Sequence, residues 1–285
     1  MKDSGFVKIT GLNDFSIRQI FDCGQCFRFD EDKEGYISGV AFSKYVRFKQ
    51  ENDVLYIFNI TESEYESTWK NFLALDADYG RIKTEILKRF RNDPVMTEAV
   101  GYGGGIRILR QDPWECVCSF ILSQNNNIPR IKKIISAMSA AYGETISGGY
   151  AFPSAEALYG AGIDGLFSLK MGFRAKYIYD LAKRVVTGQL DLEKVKASGT
   201  QTAMEMLLEV KGIGIKVASC ALLFGFGKTD VFPVDVWIKR VLDKYYPNGF
   251  PDAASLGEYA GIAQQYLFYY ERYTNLGKRT DSAFG

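Results

Sequence analysis

The hydrophobic pattern of the chain changes period once, and that change limits the folds open to it. Up to about residue 60, short β-branched and aromatic runs such as Tyr36-Ile37-Ser38-Gly39-Val40 and Val54-Leu55-Tyr56-Ile57-Phe58 are separated by charged or glycine-containing turns. That is the signature of an antiparallel meander. Thr61-Glu62-Ser63-Glu64 then forms a capping box that opens a helix through Tyr65, Trp69 and Phe72, and a second helix is predicted from about Tyr79 to Phe90. Gly101 to Gly105 marks the passage into a different region. Asp112-Pro113-Trp114-Glu115 supplies a capping carboxylate and a proline at the first helical position. Apolar residues then recur at helical spacing in Ile131-Ile134-Ile135-Met138, Tyr177-Leu181-Val185, Val217-Cys220-Ala221-Phe224 and Ile262-Tyr266-Tyr269. The expectation is an α+β chain, with an antiparallel β-rich N-terminal domain and its flanking helices over 1–97 and a mostly α-helical region over 98–285.

What the chain lacks narrows its chemistry. There is no histidine, which removes serine–histidine and cysteine–histidine hydrolase schemes, histidine metal sites and the usual general base near neutral pH. Catalysis must rest on Lys, Asp, Glu, Tyr or Cys. The five cysteines are odd in number and not densely spaced, which suits a reducing compartment. Cys23-Gly24-Gln25-Cys26 has redox-motif spacing but no second pair to complete a zinc site, so it reads as structural. No apolar run approaches the length of a membrane span and the first residues lack a signal-peptide core. An intracellular protein without a membrane partner is expected. Net charge is only +1. Residues 1–97 carry 14 basic and 16 acidic side chains and the remainder 21 and 18, an asymmetry too small to prove nucleic-acid binding.

The segment that carries chemistry is Leu208 to Ala218, Leu-Glu-Val-Lys-Gly-Ile-Gly-Ile-Lys-Val-Ala. Here one helix ends, Gly212 and Gly214 allow a tight hairpin, and another helix begins with unpaired amides that suit a phosphate oxygen. Two glycines alone often do no more than turn the chain. Phe232-Pro233-Val234-Asp235-Val236 follows, however, and sets Asp235 nineteen residues after Lys216 at the start of the next helix. One helical return can bring that carboxylate back beside the amine.

This arrangement resembles the helix-hairpin-helix DNA glycosylases, in which the hairpin precedes a loop ending in a catalytic aspartate. The hairpin would span about 202–225 and the aspartate loop 226–235. Within that superfamily, Ile106 to Cys116, Ser123-Gln124-Asn125-Asn126-Asn127-Ile128-Pro129-Arg130-Ile131 and Gly24-Gln25-Cys26-Phe27-Arg28 resemble the 8-oxoguanine DNA glycosylase/AP lyase branch over nearly the whole chain. The resemblance implies a fold in which the β-sheet domain precedes a helix-hairpin-helix glycosylase region. It implies excision of 8-oxoguanine from duplex DNA in base excision repair, with Lys216 as nucleophile forming an imine with the sugar and Asp235 stabilising positive charge there. It further implies that the Gly24 carbonyl, Cys220, Gln264 and Phe268 hold the damaged base, that Asn125 fills the vacated space, that Phe173 is a wedge, and that Arg130 and Arg174 hold the opposite cytosine.

Read from the residues alone, Cys220 and Phe268 could be ordinary helical core, Lys216 a solvated helix-start lysine, Asn125 a helix C-terminal residue and the arginines surface charges. The C-terminal cysteines of the iron–sulfur branch are missing, so no cluster, metal or other cofactor is expected. The implied partner is double-stranded DNA with 8-oxoguanine opposite cytosine, bound by a monomer. Lys211, Phe173 and Trp237 depart from the family pattern, where proline, tyrosine and histidine are usual. The last change puts one backbone contact in question. Two readings compete: a glycosylase of the same fold for other damaged bases, and a non-catalytic helix-hairpin-helix binder of damaged or branched DNA.

Overall fold

The structure, a computed structural model, describes residues 5–250 and 253–281. The β-rich part contains β1 (Phe6–Ile9), α1 (Ile17–Asp22), β2 (Phe29–Glu31), β3 (Ile37–Ala41), β4 (Lys44–Glu51) and β5 (Val54–Phe58). Strands β2 to β5 form the expected antiparallel meander, while β1 returns to pair with β5, giving the sheet order β1-β5-β4-β3-β2. Val7 lies opposite Ile57, Ile57 opposite Phe48 and Phe48 opposite Ile37. The period-2 alternation thus puts these four on one face, where they pack on Ile20, Phe21, Trp69 and Phe72.

The Thr61–Glu64 capping box is fully made. It opens α2 (Glu62–Glu64), a π-helical turn over Tyr65–Trp69, and α3 (Lys70–Phe72). Tyr65, Trp69 and Phe72 are buried along one side of this segment, as their helical spacing predicts, and the widening of its middle turn is the feature that the spacing did not announce. There follow α4 (Tyr79–Arg89), α5 (Pro94–Tyr102), α6 (Pro113–Leu122), α7 (Ile128–Tyr142), a two-stranded hairpin of β6 (Thr145–Ile146) and β7 (Gly149–Tyr150), α8 (Ala155–Ser168) and α9 (Arg174–Val186). Then come α10 (Leu192–Ala197), α11 (Thr200–Leu208), α12 (Ile215–Gly225), α13 (Val236–Tyr245), α14 (Ala253–Leu256) and α15 (Ala260–Asp281). Asp112 caps α6, as its position before Pro113 suggests.

Two features set the frame of the site. Arg107 is buried, and its guanidinium donates to the carbonyls of Asn13, Asp14, Ala74 and Ala77 beneath the ring of Tyr79. One fixed fork therefore ties the loops of the sheet region to the start of the helical region. In that region α6 packs on α12, with Phe120 stacked on Phe224 at 5.4 Å between centroids. A Cβ on Gly225 would come within 2.8 Å of Cys116 Cβ, so the two helices cross where only glycine fits.

Candidate active site

The hairpin joins α11 to α12 at the mouth of a cleft of about 980 Å³. Gly212 has φ +87°, and a Cβ there would meet the Tyr177 ring at 2.2 Å. Gly212 is thus required by both backbone conformation and space. Gly214 differs: its φ is −97° and nothing lies within 4 Å of a built Cβ. The expectation that both glycines serve the turn is corrected accordingly. Gly214 is the N-cap of α12 and no side chain among the described residues caps that helix, so first-turn amides remain for an outside acceptor.

Lys216 lies in the first turn of α12. Its Nζ is 3.4 Å from Ser123 Oγ and 5.5 Å above the centre of the Phe120 ring. Phe120 lies in the last turn of α6 and Ser123 is its C-cap, and the sequence reading missed both because the lysine meets them across more than 90 residues of chain. Asp235 ends the loop over 226–235 and caps α13, its Oδ1 accepting from the amides of Trp237 at 3.0 Å and Ile238 at 2.9 Å. Among the described residues its Oδ2 accepts nothing. Burial raises the pKa of Asp235, while the two amide bonds and the Lys216 charge oppose the shift. The carboxylate and the amine therefore act on each other electrostatically across the cleft. Cys220, one turn after Lys216, has its thiol pushed up to about 11 by burial, against the lowering influence of Lys216. It stays protonated at neutral pH and offers a polarisable, uncharged face.

Gly24, Gln264 and Phe268 line the same cleft as Lys216, Cys220 and Asp235. Gly24 takes φ +78° and a Cβ there would touch the Phe268 ring at 3.5 Å, so glycine and ring share one wall. Gln264 is buried and its Oε1 has no hydrogen-bond partner among the described residues, an arrangement that ordinary core packing avoids. Cys23 and Cys26 are buried free thiols, both pushed up to about 12 by burial. They form no disulfide, in keeping with a structural reading of the pair.

The Asn125-Asn126-Asn127 run divides its tasks. Asn126 donates to the carbonyl of Leu122 at the end of α6, and Asn127 caps α7 through the amide of Arg130. Asn125 alone adopts a left-handed backbone, φ +47°, and its exposed side chain lines the cleft without a hydrogen bond among the described residues. Arg130 is exposed, with Nη2 3.3 Å from the Lys170 carbonyl. Arg174 is not a surface charge: it is buried and donates to the carbonyls of Gln124, Asn125 and Met171. The Phe173 ring, 47% exposed, stacks on that guanidinium at 4.5 Å. In this state Arg174 holds the Asn125 turn and supports Phe173, and only Arg130 of the two arginines is exposed. Trp237 and Lys239 also line the cleft, and Arg240 lies 4.8 Å above the Trp237 ring. Ile215, Val234 and Val236 add exposed apolar side chains at the N-terminal ends of α12 and α13. Such a rim of apolar and cationic groups is unusual for solvent-facing surface.

The N-terminal domain model of 8-oxoguanine DNA glycosylase matches residues 9–117, and that of the HhH-GPD superfamily of base excision DNA repair proteins matches residues 118–253. A relative from Methanothermobacter thermautotrophicus, a probable N-glycosylase/DNA lyase, is 32% identical over 69% of this chain and 73% of its own. The chain belongs to the 8-oxoguanine DNA glycosylase family. Among solved structures, the 8-oxoguanine glycosylase/lyase of Clostridium acetobutylicum, in complex with double-stranded DNA containing cytosine opposite 8-oxoguanine, superposes with a TM-score of 0.89. It is 38% identical, covering 96% of this chain and 97% of that one. An Archaeoglobus fulgidus 3-methyladenine DNA glycosylase, at 21% identity and a TM-score of 0.68, shares the fold.

Proposed function

We propose that this chain is a bifunctional DNA glycosylase and AP lyase that removes 8-oxoguanine from duplex DNA, with Lys216 as nucleophile and Asp235 as its electrostatic partner. The observation that carries the reading is their convergence on one cleft, an amine at a helix start and a half-buried carboxylate with one oxygen that accepts nothing among the described residues. Attack by the neutral Lys216 amine on C1′ forms a carbon–nitrogen bond as the glycosidic bond breaks and its electrons leave with the base. The sugar carries positive charge as this happens, and the Asp235 carboxylate stabilises it. Ring opening then gives the imine, and loss of a proton from C2′ expels the 3′ phosphate, cutting the strand. No residue in this scheme needs a metal or a further cofactor.

The cleft also suits an extruded base. Cys220 and Phe268 would lie on its two faces, the unpaired Gln264 amide would read its pairing edge, and the Gly24 carbonyl would accept the N–H that guanine gains at N7 on oxidation. Asn125 would occupy the space left in the duplex, with Phe173 wedged beside it. Arg130 would hold the opposite cytosine, and Arg174 would do so after exchanging carbonyl partners. The open first-turn amides of α12 would take a phosphate. The enzyme would act as an intracellular monomer. Single-turnover base release from a panel of duplexes tests the reading. Release of 8-oxoguanine opposite cytosine should be fastest, and a preference for alkylated bases would overturn it.

A further inference from the structure

The strand of backbone bearing Gly24 is held by side chains on every side but one. Gln25 is fully buried, and its amide donates to the carbonyls of Ile20 and Arg107, both at 2.9 Å, and accepts from the amide of Leu109 at 2.8 Å. Gln111 donates to the Gln25 carbonyl at 2.7 Å, and Gln265, from α15, donates to the Cys23 carbonyl at 2.6 Å. Arg272 and Tyr273 of the same helix reach the Asp22 carbonyl. The carbonyls on both sides of Gly24 are therefore occupied, whereas that of Gly24 accepts nothing among the described residues. A peptide plane clamped at both ends cannot rotate to satisfy itself, so the free acceptor keeps one direction.

We infer that Gln265 and Gln111, with Gln25 between them, are positioning residues that aim the Gly24 carbonyl into the cleft, and that they set the preference for oxidised over normal guanine. The inference rests on the proposed reading of the cleft. The dipeptide Gln264-Gln265 makes the device economical: the first residue lines the cleft with an Oε1 that has no partner among the described residues, while the second locks the loop from the same helical turn. The two groups that would read opposite edges of one base are thus fixed in mutual register. Normal guanine has no hydrogen at N7, so a rigid carbonyl there meets an acceptor and repels it, whereas a loop free to turn would relax that discrimination.

Gln265→Met and Gln111→Met each remove one donor at nearly constant volume, and neither residue touches Lys216 or Asp235. The measurements are single-turnover release of 8-oxoguanine, cleavage of a duplex with a preformed abasic site, melting temperature, and, in a Lys216→Gln background, binding of duplexes containing 8-oxoguanine or guanine. The positioning role predicts a threefold to tenfold slower release of 8-oxoguanine from the loss of one hydrogen bond. It also predicts a narrowed binding preference over guanine and abasic-site cleavage equal to wild type. Equal losses on both substrates, or no loss on either, would overturn it. Should Gln265→Met fold poorly, Gln111→Met decides, because its bond is to a different carbonyl. A wild-type enzyme that binds both duplexes equally would instead refute the underlying reading of the cleft.

Discussion

Asp235 holds two roles that one substitution can separate. As the N-cap of α13 it accepts two amide hydrogen bonds through Oδ1, and as a carboxylate it faces Lys216. Asparagine caps a helix about as well as aspartate, whereas alanine loses about 1 kcal/mol, or about 2 to 4 °C in a chain of this size. Burial holds the Asp235 pKa above its ordinary value. The folded state therefore binds that proton more tightly than the unfolded state does, and the charge costs stability at neutral pH. Asp235→Asn, which removes the charge and keeps the cap, should leave the melting temperature unchanged or raise it. Base release should nonetheless fall by roughly two to three orders of magnitude, the scale for removing one fixed electrostatic stabiliser. The acid limb of the wild-type rate should lie above the ordinary aspartate value and vanish in the variant. Thermal melts and single-turnover rates on an 8-oxoguanine:cytosine duplex measure both quantities. An Asp235→Asn enzyme that melts as low as Asp235→Ala, or one with undiminished turnover, would refute the division of roles.

The hairpin glycines should respond differently. Gly212→Ala drives a Cβ into Tyr177 at a positive φ and should cost about 2 to 4 kcal/mol in chemical unfolding, whereas Gly214→Ala should change stability by less than about 1 kcal/mol and weaken DNA affinity instead. For the arginines, Arg174→Ala strips donors from the Gln124 and Asn125 carbonyls and should lower stability by about 1 to 3 kcal/mol. Arg130→Ala should leave stability intact and relax the preference for cytosine, read from single-turnover rates opposite all four bases. Burial pushes Glu115 up to about 7 despite Arg28 at 3.4 Å. An acid raised in the folded state gives stability below its unfolded pKa that is lost as pH rises through the folded one. The unfolding free energy should therefore fall as pH rises from about 4.5 to about 7 in wild type, by up to about 3 kcal/mol at about 1.4 kcal/mol per unit, with the melting temperature falling alongside, and Glu115→Gln should remove that part of the fall.

What could be read in the sequence was local. The Thr61–Glu64 capping box, the Asp112 cap, the meander and the hairpin before Lys216 are each specified within a few residues, and each formed. The meeting of Lys216 with Asp235 was legible because a single helix separates them. Contacts across long stretches of chain carried no such mark. Ser123 and Phe120 meet Lys216 only because α6 packs on α12. Arg174 looks like any surface arginine in sequence, and its inward turn follows from unpaired carbonyls at Gln124 and Asn125 that a local pattern does not reveal. Gln265 reaches the Cys23 carbonyl across 242 positions, so the loop that bears Gly24 could be recognised by resemblance while the groups that fix it could not. The return of β1 to β5 is of the same kind, since strand partners are chosen by the sheet as a whole.

The central claim is that Lys216 is the nucleophile, and covalent trapping tests it most directly. Wild-type protein, incubated with an 8-oxoguanine:cytosine duplex and borohydride, should become joined to the DNA as the imine is reduced. Lys216→Gln should give no adduct and no base release while still binding the duplex, because the α12 amides and Arg130 remain to grip it. A Lys216→Gln protein that traps DNA as well as wild type would place the nucleophile elsewhere and contradict the account.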